Sequence, residues 1–529
     1  METTAGADTT TAPTGSEPTT APTGADTTAP TTSVAEVGKP GGEITYIHNA
    51  FLQSFDPTLV ASQGLAAGHY IQAVFGALVD LDFDTRTIVT PNFAKSFETK
   101  DGGLTWTLVL NKGIKFTDGE PYDADAVKFN WDRYLAKAPT KSVGATKIAS
   151  VEVVDPLTLS ITLTEAFPQW PTVLGPMVII GSPKAITEMG DAFGTAPVGA
   201  GPFIVKEFVS GQSVTMVRNP NYWKKGLPYL DKLTLIAQPD GARRVDALLA
   251  GEADIAAGKP DQVDRLKAAG LVKFASSSAL PIGGAGWVFN VAKPPFDDKD
   301  LRCAINQTID REAMNRDLAK GNTIYVHKDG TVYDSFIHSG PAKDGAHTFL
   351  PYDHDAAQKA INAYAERTGG PVTFTLNTLD QFGLETQYLL TQWATFDNLK
   401  VTVDSKPTAE TFGVVSTGGH QMAYIGWSSE YSAAFTINQY GHSRPDGTAN
   451  PWTGYTSPEF DAAIDRAVNA TDEKSRDDAV REAQDIIVDE CLYNFTPLAA
   501  LGAPYGKDTI KGWELTVLGT VWEKVWLDK

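Results

Sequence analysis

The stretch Asp101-Gly102-Gly103-Leu104-Thr105-Trp106-Thr107-Leu108-Val109-Leu110-Asn111-Lys112-Gly113-Ile114-Lys115-Phe116-Thr117-Asp118-Gly119-Glu120-Pro121 decides how the rest of the chain is read. Residues 104–110 alternate apolar and polar side chains, the period-2 pattern of a strand with one face buried. Asn111-Lys112-Gly113 supplies turn residues, and Ile114-Lys115-Phe116 reads as the returning arm of a hairpin. Asp118-Gly119 makes the next reversal. Asp123 is then placed to cap a helix whose apolar stripe is Val127, Trp131, Tyr134 and Leu135.

The same two periods recur in both directions along the chain. Strands are predicted at 43–47, 151–154, 159–163, 372–376 and 422–425 from their β-branched and aromatic content. A helix over 243–250 carries Val245, Leu248 and Leu249 on one side. A longer one over 300–318 places Leu301, Ala304, Ile305 and Ile309 at helical spacing. Thr471 is expected to cap a further helix, with Asp472 and Glu473 in its first turn and Val480, Ala483, Ile486 and Ile487 on its buried face. Strands interleaved with helices make this an α/β protein. The apolar run 173–180 is broken by Gly175 and Pro176, is far too short to span a bilayer, and reads as a buried strand.

Composition narrows the functional classes. At 529 residues the chain exceeds a single ordinary core. Its 44 basic and 64 acidic residues leave a net charge of −20, which argues against a nucleic-acid partner. Cys303 and Cys491 are too few for a disulfide scaffold, and a single bridge and two buried thiols both stand open. Residues 1–38 are low-complexity: Thr-Thr-Ala-Pro-Thr occurs at 10–14, 19–23 and 27–31, and Gly-Ala-Asp-Thr-Thr at 6–10 and 24–28. Such a segment cannot bury enough apolar surface to offset its ordering entropy, so it reads as a disordered stalk whose threonines suit O-glycosylation. An exported, mature form is expected, its secretion signal and a lipid-bearing cysteine lying upstream.

A search for catalytic chemistry is mostly negative. The sequence holds no phosphate-binding glycine loop, no dinucleotide fingerprint, no His-Glu-x-x-His and no Gly-x-Ser-x-Gly elbow. His327, His338, His347 and His354 are spaced too irregularly for metal ligation and read as loop histidines. Asp80, Asp82 and Asp84 lack the glycine and distal glutamate of a calcium loop and read as one polar strand face. No metal and no cofactor is expected. A secreted hydrolase on an unrelated α/β scaffold stays open as an alternative, because paired carboxylates can lie far apart in sequence.

Several ordered stretches carry a resemblance. They are Phe75-Gly76-Ala77-Leu78-Val79, Pro91 to Glu98, the opening block from Asp101 to Pro121, Pro197-Val198-Gly199-Ala200-Gly201-Pro202-Phe203, and Arg218-Asn219-Pro220-Asn221-Tyr222-Trp223. To these are added Ala247 to Ile255, Phe289-Asn290, Pro294 to Asp298, Leu301-Arg302 and Ile309-Asp310-Arg311-Glu312. Together they resemble extracellular solute-binding family 5, the oligopeptide, dipeptide and nickel-binding class that serves bacterial ABC importers.

The resemblance implies an α/β, two-lobed, periplasmic-binding-protein-like fold of the large class, closed around ligand by a hinge. It divides the chain into the stalk (1–38), lobe I (39–80), an extra subdomain of lobe I (81–195), lobe I again (196–287), lobe II (288–497) and a C-terminal return to lobe I (498–529), with crossovers near 286–291 and 495–500. It implies a non-catalytic, extracellular, lipid-anchored monomer. Its partners would be a peptide or other small-molecule ligand and ABC permease subunits in the membrane. In the family a tryptophan followed three residues later by an aspartate lies at the cleft. Here Trp427 matches, and Glu430 stands in the aspartate's place as a candidate amine clamp. Tyr424 is expected on the same wall, and Ser62-Gln63-Gly64 matches a cleft-lining loop. Because Glu430 departs from the pattern, a non-peptide solute (an aromatic acid, an oligosaccharide or a metal chelate) is the alternative ligand.

Overall fold

Trp287, Val288 and Phe289 show how the second half of the molecule is layered. They end the strand Gly283–Phe289, and successive side chains along a strand point to opposite faces. Trp287 and Phe289 accordingly pack into one core with Leu301, Ile305, Met314 and Leu389, while Val288 packs into another with Phe460, Ile464, Val480 and Ile487. The neighbouring strand Met422–Ser428 divides in the same way, Met422 and Tyr424 to the first core, Ala423 and Ile425 to the second. The sheet has five strands, in the order Leu399–Lys406, Val372–Leu379, Met422–Ser428, Gly283–Phe289, Tyr493–Thr496. The first three are parallel, and the last two add on antiparallel. With helices on both faces, residues 287–289 and 422–425 of its central strands are buried on both sides of the sheet.

The structure, a computed structural model, describes residues 38–529 apart from 50–51, 61–66, 83–91, 139–141, 275–282, 323–347, 429–433, 435–436, 439–440, 445, 497–502 and 529. Among these residues a seven-stranded sheet, drawn mainly from the first half of the chain, has the order Val272–Lys273, Ala503–Gly506, Ile255–Gly258, Glu43–His48, Lys232–Ala237, Ser213–Arg218, Phe203–Val209. Its central strand Glu43–His48 runs parallel to both neighbours. A four-stranded antiparallel sheet, Ala94–Thr99, Thr105–Leu110, Thr158–Leu163, Ile148–Asp155, shares one continuous core with it. The first sheet thus takes strands from both chain ends, and the second takes the middle. The chain crosses between them twice.

Capping follows the sequence closely. Asp123 accepts from the Ala126 N–H at the start of Ala124–Lys137, and Val127, Trp131 and Tyr134 are buried on that helix. The helix over 243–250 is real and begins slightly earlier, Gly241–Ala250, capped by Asp240.

Other expectations are corrected. Ile114-Lys115-Phe116 does not return as a hairpin arm, because both edges of Thr105–Leu110 are already taken by Ala94–Thr99 and Thr158–Leu163. The segment instead folds on itself through the Lys115–Pro121 bridge and buries Ile114 and Phe116. The predicted 300–318 helix is two, Lys299–Gln307 and Arg311–Leu318, because Asp310 turns its side chain back to cap the second. Asp472, not Thr471, caps Glu473–Asp489. The run 173–180 is buried, but in tight 3-10 turns rather than a strand. Asp80 is not on a polar face: it is buried, bonded to Gln72 and the Leu81 N–H, and burial lifts its carboxyl to about 6. The first crossover precedes Gly283, since residues 286–289 already lie in the second sheet. The second falls between Thr496 and Ala503, outside the described residues, as do the stalk, His327, His338 and His347. His354 is described and stacks on Phe396.

Of the two states open for the cysteines, the structure has the bridge. Cys303 and Cys491 are bonded across 188 residues of sequence, with Cα atoms 5.2 Å apart. It ties the Lys299–Gln307 helix to the end of Glu473–Asp489, one from each face of the second sheet. Closing so long a loop restricts the unfolded chain and contributes stability of about 2–4 kcal/mol.

Candidate functional site

In sheets with parallel strands, ligands bind in the crevice outside the carboxyl ends, where loops leave the strands and backbone groups are free. The first sheet's parallel strands end at His48, Ala237 and Gly258, and the second sheet's at Leu379, Lys406 and Ser428. These two sets of ends approach each other. Asn322 Nδ2, from the second half, donates to Asp264 Oδ1 in the first at 3.2 Å. Glu385 lies within electrostatic reach of Lys259 and Asp261. Lys259 is the first residue after the strand Ile255–Gly258, and Glu385 follows Val372–Leu379 by one 3-10 turn.

On the wall built on the first sheet, Arg244 and two histidines are satisfied by the protein's own groups. Arg244 is buried and spends its guanidinium on carbonyl oxygens at the strand ends: Nε donates to Ala257 at 2.7 Å, and Nη1 to Gln238 at 2.7 Å and Pro239 at 2.9 Å. Beside it His48 meets the Tyr70 hydroxyl at 2.9 Å and stacks on Tyr46, while His69 Nδ1 pairs with Thr520 Oγ1 at 3.0 Å. Burial holds both imidazoles neutral. It lowers His69 to about 4, and with help from His69 and Arg244 it pulls His48 well below its usual range.

The wall built on the second sheet is different. Glu385 is half-buried in the first turn of Gly383–Trp393, and among the described residues its carboxylate makes no ion pair. Burial raises its pKa, Asp261 adds to the rise, and Lys259 opposes it. Behind it the Tyr424 hydroxyl meets Thr496 Oγ1 at 2.8 Å, and Phe382 crosses the Tyr424 ring at 5.4 Å. A half-buried carboxylate opposite a lysine on a separate lobe can hold a ligand that carries both charges.

The residues singled out from sequence fare unevenly. Tyr424 is fully buried on the strand Met422–Ser428 beneath Glu385. Trp427 lies on the same strand, its backbone opposite Gly284. Glu430, Ser62, Gln63 and Gly64 lie outside the described residues. Lys259 and Glu385 were missed. The available signal was positional: each is an ionisable residue just past the carboxyl end of a parallel strand, and only sheet order reveals which strands those are.

Comparison with known proteins agrees with this architecture. The chain is 28% identical over 455 residues to the glutathione-binding protein GsiB of Salmonella paratyphi A, covering 82% of this chain and 84% of that one. It is 26% identical over 490 residues to GsiB of Escherichia coli, covering 89% and 91%. Among solved structures, the periplasmic binding protein DppA of Helicobacter pylori, in complex with the peptide STSA, superposes with a TM-score of 0.77 at 22% identity, over 93% of this chain and 99% of that one. A dipeptide-binding protein of Pseudoalteromonas, in complex with Met-Leu, gives 0.75 at 19%, over 92% and 100%. Residues 89–447 match the bacterial extracellular solute-binding proteins, family 5 middle region, and the chain belongs to that family.

Proposed function

We propose that this protein captures a small charged solute, in first place a short peptide, between the two lobes and delivers it to ABC permease subunits without turning it over. One observation carries the reading: groups of opposite charge stand on two separately built lobes that the chain joins by two crossovers. A ligand that touches both walls binds the closed form better and shifts the population toward it. Taking the equilibrium from mostly open to mostly closed requires about 5.5 kcal/mol of differential affinity.

The relatives support a peptide. GsiB is a glutathione-binding protein, and two structural neighbours hold peptides. Trp427, Glu430, Tyr424, Ser62, Gln63 and Gly64 belong to the proposed ligand surroundings, with Glu430 as a candidate amine clamp. The division into lobe I, its subdomain and lobe II given above, with lobe II taken from Gly283, a monomeric state, and a lipid-anchored stalk of residues 1–38 complete the proposal. A second reading, a non-peptide solute, is favoured by glutamate at position 430 where the family's peptide binders carry aspartate.

Thermal unfolding against di- to pentapeptides and glutathione, each free and N-acetylated, and against non-peptide acids and chelates, tests the choice. A ligand at a hundred times its dissociation constant adds about 2.7 kcal/mol, a shift of several degrees. Stabilisation by peptides supports the first reading. Stabilisation by non-peptide solutes alone replaces it with the second.

A further inference from the structure

We propose that Gln169 and Val468 form a clasp by which the extra subdomain holds the second lobe closed and biases the hinge before any solute arrives. The clasp rests on the two-lobed fold and not on which solute the cleft takes.

Three observations carry it. The first is where the two residues belong. Gln169 precedes the tight turn Trp170–Val173, whose Trp170 and Val173 are fully buried in the core shared by the four-stranded and seven-stranded sheets. That shared core makes the subdomain and the first sheet one body. Val468 lies in the last turn of the helix Pro458–Asn469, whose Phe460, Ala463, Ile464 and Ala467 are buried against the second sheet. A contact between the two therefore bridges the hinge. The second is hydrogen bonding. The last four carbonyls of a helix have no partner within it. Here the other body supplies one: Gln169 Nε2 donates to the Ala467 carbonyl at 2.9 Å and the Val468 carbonyl at 3.1 Å, and reaches that of Ala470 at 3.4 Å. The amide stands on a fixed platform. The Thr172 N–H and hydroxyl donate to the Gln169 carbonyl at 2.9 and 2.8 Å, and Trp170 Nε1 donates to the Gly144 carbonyl at 2.8 Å. The third is packing, since Val468 lies against the core of the first body and that of the second alike. Opening would expose this side chain and strip the helix end of its donor. The Asn322–Asp264 contact, by comparison, is one exposed hydrogen bond at 3.2 Å.

A contact made in the closed form without help from solute raises the closed population of the free protein. It thereby reduces the differential affinity that a solute must supply. The experiment is a spin-label distance measurement on the solute-free full chain, labelled at Val154→Cys in the subdomain and Lys474→Cys in the second lobe. Both positions are exposed, and the native cysteines are already bonded to each other. The background protein is expected to give two distances, one from the closed form and one from the open. Gln169→Glu sets a carboxylate against the negative end of a helix and is expected to lower the closed-to-open ratio about tenfold or more. Gln169→Ala and Val468→Ala are each expected to lower it about threefold to tenfold. An unchanged ratio in Gln169→Glu makes the contact a fixed pivot and overturns the clasp. So does a background protein that is wholly open. If the background is wholly closed, Gln169→Glu must bring out the second distance for the clasp to stand. Should Gln169→Glu not fold, the two alanine variants decide by the same ratio. With no solute present, failure here leaves the capture reading untouched.

Discussion

Arg244 and Glu385 are both ionisable residues near the start of a helix that follows a parallel strand, one on each wall of the cleft, and they are treated in opposite ways. Arg244 donates to three carbonyl oxygens and has become part of the scaffold. Glu385 keeps its charge half-buried without an ion pair among the described residues. Burial alone therefore does not mark a functional charge. What separates the two is whether the protein's own groups already satisfy it. A satisfied cation fixes the loops that leave the first sheet, and an unsatisfied anion is left for something else to meet.

The sharpest way to break this contrast is to remove the scaffold cation. Arg244→Met strands three carbonyls in a buried setting and is expected to lower unfolding free energy by about 3–5 kcal/mol in urea denaturation. Were the variant as stable as the wild type, Arg244 would not be the strut described here.

A pH series probes the rest of the first wall. Burial lowers His69 to about 4 from an ordinary 6.5 and lowers His48 as well, and it does the same to His420 beside the second sheet. Between those values the unfolded chain binds protons that the folded one refuses. The histidine contribution is thus complete above about 6.5 and is lost as pH falls towards 4. Asp80, raised to about 6, works against this, because the folded state takes its proton first. With three lowered histidines against the raised carboxyls of Asp80 and Glu385, the melting midpoint is expected to fall between pH 7 and about 4.5. His69→Asn should flatten that slope, and an unchanged slope would remove His69 from the account.

Smallest of all should be the effect of Glu385→Gln on the ligand-free protein. Removing an unpaired, partly desolvated charge is expected to change stability by less than about 1 kcal/mol, upward if in either direction. A loss as large as that of Arg244→Met, read from the same urea curves, would place Glu385 in the scaffold and erase the difference between the walls.

Much of this fold is legible in the sequence because its signals are local. The alternation of Leu104 to Leu110 and the Asp123 cap depend on neighbours a few residues away, and both are found in the structure. Local reading fails where a distant partner intervenes. Ile114 to Phe116 has the composition of a hairpin arm, but the strand it would join is occupied on both edges by segments from elsewhere. Asp310 sits inside a helical pattern and ends it by capping the next helix. Asp80 carries the label of a surface residue, yet Gln72 and the turn around Leu518 enclose it.

The candidate site divides along the same line. The sequence by itself determined the family, the α/β class and the neighbourhood of Trp427, because ordered motifs and periodicity survive without knowledge of contacts. Only the tertiary structure decided that Cys303 meets Cys491, that Tyr424 is buried against Thr496, and that Asn322 meets Asp264. Each of these pairs lies far apart along the chain. Their meeting is set by strand order in two sheets and by how the carboxyl ends of those sheets confront each other, and no local pattern encodes that order.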